Sequence, residues 1–212
     1  MNVNAQALRA ATLFTSRDAG RPVLQSVSVS DGGSLVRATD SYLACAVGKN
    51  GESPEDLVKR VMSNYDDEVL IPAVDIAKAA NIAPKPVAGR SDYWTVDNDS
   101  IRIPDVGTVS LGKVIGQFPS FSSIFPYNRP LAIDDIAFDS SRLVTFHKAA
   151  QALYGANTAK KGHLLPILTL HGADSALKPA AFSLTGNCPT MVMLLMPVKG
   201  ATAWGSPTPA TA

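Results

Sequence analysis

The chain has 212 residues, 46% of them hydrophobic and 17% charged, with a formal charge of +1. That length allows one large domain or two small ones around a sizeable core. The balanced charge excludes a uniformly basic nucleic-acid binder, so any phosphate-contacting surface has to be local.

In chain order, Ala7, Ala10, Ala11 and Phe14 recur at helical spacing and predict a helix over 5–14, capped by Asn4 and ended by Asp18-Ala-Gly20. Val23, Val27 and Val29 then fall on one face of a strand, with Leu24, Ser26 and Ser28 on the other. Asp31-Gly-Gly33 signals a hairpin, and two short strands follow over 35–38 and 42–47. Residues 48–68 hold Glu52, Glu55, Asp56, Asp66, Asp67 and Glu68, which read as a solvated insertion on the outer surface. Leu57, Val58, Val61 and Met62 allow one or two amphipathic turns within it.

The pattern then repeats. A strand over 69–71, a helix over 73–82 and strands over 93–96, 101–103 and 108–111 form a second unit, with breakers in Ala83-Pro-Lys-Pro-Val-Ala-Gly89. A third begins with a strand over 136–138 and the longest helix, 141–154, capped by Asp139 or Ser140 and stopped at Gly155. Strands over 165–170, 181–184 and 191–196 complete it. Three βαβββ units in series imply an α+β fold, because parallel crossovers would place a helix between most strands. Residues 200–212, mostly Ala, Thr, Pro, Gly and Ser, read as a disordered tail.

Three segments occur in a telling order: Arg21-Pro-Val-Leu24 through Ala38-Thr-Asp40, then Gln117-Phe-Pro-Ser-Phe-Ser-Ser-Ile-Phe-Pro126, then Met191-Val-Met-Leu-Leu-Met-Pro-Val198. Together they resemble the bacterial DNA polymerase III β sliding clamp family. The resemblance implies the DNA clamp fold, with antiparallel sheets outside and helices inside. Residues 1–125 correspond to a complete domain, most like the family's middle one, and 126–199 to half of the final domain. The shortness suits a compact replicon such as a phage. Where that family continues Ala-Thr-Asp with a Gly-His-Arg-like run, this chain has Ser41-Tyr42-Leu43.

By position, the resemblance implies a peptide groove walled by Leu24, Thr39, Tyr42, Pro119, Ile124, Leu194, Met196 and Val198. Such a groove would bind short motifs of a DNA polymerase or other replication proteins. Apolar anchors gain about 25 cal/mol per Å² buried there, and methionine adapts to several partners. Leu24, Leu194 and Met196 equally suit a sheet core. The resemblance also implies sequence-independent contact with duplex DNA. Arg9, Arg17, Arg21, Lys78, Arg142 and Lys148 are the DNA-facing candidates, with Lys160 and Lys161 as a further basic pair. A clamp loader and a homo-oligomer are the remaining implied partners.

Chemistry finds little footing. His147, His163 and His171 lack metal-ligand spacing. No Gly-x-Ser-x-Gly elbow or phosphate-cradling glycine loop occurs. Cys45 and Cys188 suggest neither a disulfide framework nor zinc, so no cofactor is expected and a reducing cytoplasm is. No apolar run reaches membrane-spanning length, so no membrane partner is expected. Three readings remain: a clamp that tethers proteins to DNA, a monomeric clamp-derived protein that binds or competes for such peptides without encircling DNA, and an unrelated α+β enzyme.

Overall fold

A computed structural model describes residues 1–85, 92–121, 140–154, 167–172, 179–185 and 189–196. The first unit contains β1 (Asn2–Asn4), α1 (Ala5–Thr12), β2 (Ser26–Ser30), β3 (Leu35–Thr39) and β4 (Leu43–Asn50), followed by α2 (Pro54–Val61). The second contains β5 (Val69–Pro72), α3 (Ala73–Ile82), β6 (Tyr93–Val96), β7 (Ser100–Ile103) and β8 (Gly107–Ser110). From the third come α4 (Ser140–Tyr154), β9 (Ile167–Gly172), β10 (Ala180–Thr185) and β11 (Pro189–Leu195).

The first two units exchange their leading strands. β1 pairs with β6 in a four-stranded sheet ordered β1-β6-β7-β8, while β5 pairs with β2 in the other sheet. That second sheet has seven antiparallel strands ordered β5-β2-β3-β4-β11-β10-β9. Its seam is the β4–β11 pairing, where Leu43 faces Leu195 and Ala44 faces Leu194. The third unit is thereby joined to the first through a continuous ladder.

Strand alternation gives the seven-stranded sheet two apolar faces. Leu43, Cys45 and Val47 of β4, with Met191, Met193 and Leu195 of β11, join the core shared with α1, α3 and α4. Ala44, Ala46, Val192 and Leu194 lie on the opposite face, against Leu57 and Val61 of α2 and against Phe118 and Phe121. Burial pushes the Cys45 thiol well above its ordinary range, which leaves it inert packing.

Among the described residues the expected elements return with three corrections. The first helix stops at Thr12, where Leu13 caps it, with Leu13 N donating to Ala10 O and Phe14 N to Ala11 O; Asn4 caps its start, accepting from Ala7 N at 3.0 Å. Leu24 is in a turn, not a strand, with its N–H given to Arg21 O and its carbonyl to Ser16 N. The stretch 48–68 is not a solvated insertion: α2 is a capped helix whose Leu57 and Val61 are buried. Ser53 accepts from Asp56 N at 3.1 Å and Pro54 occupies the first turn.

Three of the six acidic residues there form a framework. Glu52 accepts from Lys49 N and pairs with Arg60, which also pairs with Asp31. Asp67 accepts from Gly32 N and Asp31 N, which holds its carboxyl below the usual carboxylate range. Glu68 binds Arg37 and Ser28. The strand β1, only three residues long, carries too little pattern to be anticipated.

At the β2–β3 hairpin, Gly33 has φ +94°, and a Cβ there would lie 2.4 Å from Asn2 O. Gly33→Ala is therefore expected to cost about 1–3 kcal/mol, read as a lower denaturation midpoint at unchanged slope. A neutral result would mean the hairpin shifts away from β1 without cost.

Candidate peptide groove

The segment Asp40–Leu43 turns β3 into β4 and is closed from several sides. Thr39 Oγ1 donates to Leu43 O at 2.8 Å and accepts from Ser41 N at 3.1 Å. Asp40 Oδ1 accepts from Tyr42 N and Leu43 N at 2.8 and 2.6 Å. Ser41 has φ 81°, a value glycine adopts more readily. Across the seam, Met196 N donates to Tyr42 O at 2.9 Å, so the turn is tied to the end of β11.

Beside this turn lies a cavity of about 300 Å³ lined by Leu24, Thr39, Ser41, Tyr42, Leu43, Ala44, Pro119, Ser120, Phe121, Pro179, Leu194 and Met196. Six of the eight expected groove residues meet here: Leu24, Thr39, Tyr42, Pro119, Leu194 and Met196. Ile124 and Val198 lie outside the described residues. Leu194 does double duty, since it is 2% exposed and belongs to the outer-face core. Leu24 and Met196 are half-buried, whereas Pro119 and Tyr42 are exposed. Ser41, Leu43, Ala44, Ser120, Phe121 and Pro179 were not anticipated. Ser120 and Phe121 belong to the Phe-Pro-Ser-Phe run, and the β4–β11 register brings Ala44 opposite Leu194.

Similarity to known proteins bears on this arrangement. No protein-family model and no curated protein sequence matches the chain. Among solved structures it is similar to Caulobacter crescentus pol III beta (14% identity, TM-score 0.59), covering 94% of this chain and 65% of that one. The H. pylori beta clamp in complex with diflunisal is similar at 10% identity and TM-score 0.60, covering 94% and 66%. The DNA polymerase sliding clamp from Bacillus subtilis is similar at 15% identity and TM-score 0.52, covering 94% and 64%. The chain has the sliding-clamp fold. It spans 64 to 66% of the length of these clamps.

Within the clamp fold, the candidate DNA-facing cations do not share one environment. Arg9 of α1 is half-buried with its guanidinium 5.3 Å from the Trp94 ring centre, and burial draws its pKa down, partly offset by Asp92. Lys78 of α3 is exposed and pairs with buried Asp75 at 2.7 Å. Arg21 pairs with Asp18 at 3.4 Å and donates to Ser41 Oγ at 3.3 Å. Arg142 of α4 sits 4.5 Å over the Tyr42 ring and 3.6 Å from Asp40, beside the groove. Arg17 and Lys148 are exposed. Lys160 and Lys161 lie outside the described residues, as do the strand over 136–138, His163, Cys188 and the tail. Among the described residues no cluster of metal-ligating side chains forms and no helix is long and apolar enough to cross a membrane.

Proposed function

We propose that this protein is a clamp-like tether that holds replication proteins near duplex DNA by capturing their short peptide motifs in the Leu24–Met196 groove. The carrying observation is convergence: six residues chosen from three separate sequence segments line one concavity. Its walls are leucine, methionine, proline and phenylalanine on a rigid sheet seam, which suits a few apolar side chains of an extended peptide. Binding pairs this apolar anchoring with weak, sequence-independent phosphate contacts, so a captured partner stays on DNA without fixing a sequence.

One observation favours the monomeric, non-encircling alternative. Leu13 at the end of α1, Val74 and Ile82 of α3 and Leu143 and Val144 of α4 are exposed, while Lys78 of α3 is already paired with Asp75. Helices with such exposed residues grip phosphates weakly.

Light scattering together with anisotropy of a labelled duplex across a salt series separates the two readings. A tether on DNA gives an oligomer and a log–log salt slope near −0.9 per phosphate contacted, reduced by about one in Lys148→Ala. A strict monomer with no salt-dependent duplex binding overturns the DNA tether and leaves the peptide-capture protein.

A further inference from the structure

We infer that Tyr42 is the specificity-determining wall of the groove, selecting peptides with an aromatic anchor, indole above all, over branched aliphatic ones. The inference rests on the peptide-groove reading and adds to it the class of ligand. Tyr42 is 58% exposed, far more than a packing role requires, and it lines the cavity. The Arg142 guanidinium stacks 4.5 Å from its ring centre and does not itself line that cavity. The same ring therefore carries a cation on one face and contributes to the groove wall.

The backbone holds it there. Ser41 carries a positive φ, Asp40 takes the N–H groups of Tyr42 and Leu43, and Met196 N binds Tyr42 O. Asp40 also faces Arg142 at 3.6 Å, so one carboxylate orients both the turn and the cation on the ring. A serine at such a φ is a local cost that the hydrogen bonds overcome, and strain of this kind collects where a side chain must be aimed.

The chemistry follows from the ring's quadrupole. A guanidinium on one face draws electron density toward itself, so the opposite face complements an electron-rich ring. A tryptophan or phenylalanine entering the groove can stack, offset, on a surface already fixed in place. Leucine gains the same apolar burial without the ring–ring contribution.

The test uses the full chain and three fluorescein-labelled peptides, Gly-Ser-Leu-Xaa-Ser-Gly with Trp, Phe or Leu at Xaa, followed by anisotropy. The wild type is expected to bind the Trp peptide about three- to tenfold more tightly than the Leu peptide. Tyr42→Leu brings that ratio close to one while still binding the Leu peptide, Tyr42→Phe keeps it, and Arg142→Gln narrows it. Since Tyr42 is exposed, its substitutions leave the fold intact, and an unchanged melting curve checks this for all three variants. A ratio that survives Tyr42→Leu overturns the inference and leaves the groove. No binding of any of the three peptides to the wild type overturns the groove reading, and the inference with it.

Discussion

Met196→Glu is expected to weaken peptide capture at least roughly a hundredfold while leaving the melting temperature within a few degrees. The loss is the cost of desolvating a carboxylate against an apolar ligand. An unpaired charge in such a site costs several kcal/mol, and about 1.4 kcal/mol is already tenfold. The fold tolerates the change because Met196 is half-buried and its structural bond uses the backbone, N–H to Tyr42 O. Leu194→Glu would be a poor substitute, since Leu194 is 2% exposed and its loss would damage the outer-face core as well. Met196→Leu conserves volume and apolarity, so it should keep affinity within about threefold. Titration of a labelled peptide against the three proteins, with a thermal melt of each, makes the measurement. Undiminished affinity in Met196→Glu would place the peptide elsewhere on the molecule.

The elements of this fold were legible wherever local pattern is strong. The helix over 73–82 and the strand over 93–96 recur with the same bounds, because period and flanking breakers agree there. What local pattern does not carry is pairing at long range. The exchange of β1 and β5 between sheets, and the β4–β11 seam, depend on residues far apart in sequence. That six candidate residues line one cavity was legible for another reason: they come from three segments whose order marks the resemblance. Charge was the weaker guide. Six acidic residues in 48–68 suggested solvent, yet Leu57 and Val61, four apart, suffice to seat a helix on the sheet. The arginines show the same limit, since sequence placed Arg142 on a helix without revealing that Asp40 and Tyr42 would meet it.

Glu68→Ala is expected to cost about 3–5 kcal/mol of stability by orphaning the buried Arg37. Arg37 of β3 has a side chain only 9% exposed, Glu68 one 24% exposed, and the two are paired with Ser28 Oγ bridging them. Burial pulls the Arg37 pKa down and Glu68 opposes that pull, so the guanidinium stays charged at the expense of needing its partner. Removing the carboxylate leaves a buried cation facing a serine hydroxyl, which returns only part of the lost interaction. Replacing both members by methionine removes the charge and its desolvation together, and the double variant should recover most of the stability. The pair also bears on the groove. Arg37 lies 5.6 Å over Phe118, whose ring is 5.6 Å from that of Phe121, and Phe121 lines the cavity. Methionine preserves contact with Phe118, so the double variant should bind peptide as the wild type does. Urea unfolding of both variants, with peptide titration of the double, reads both effects. A double variant as unstable as Glu68→Ala would mean that the charge pair itself, and not the orphaned arginine, holds β3 against β2 and the strand that Glu68 precedes.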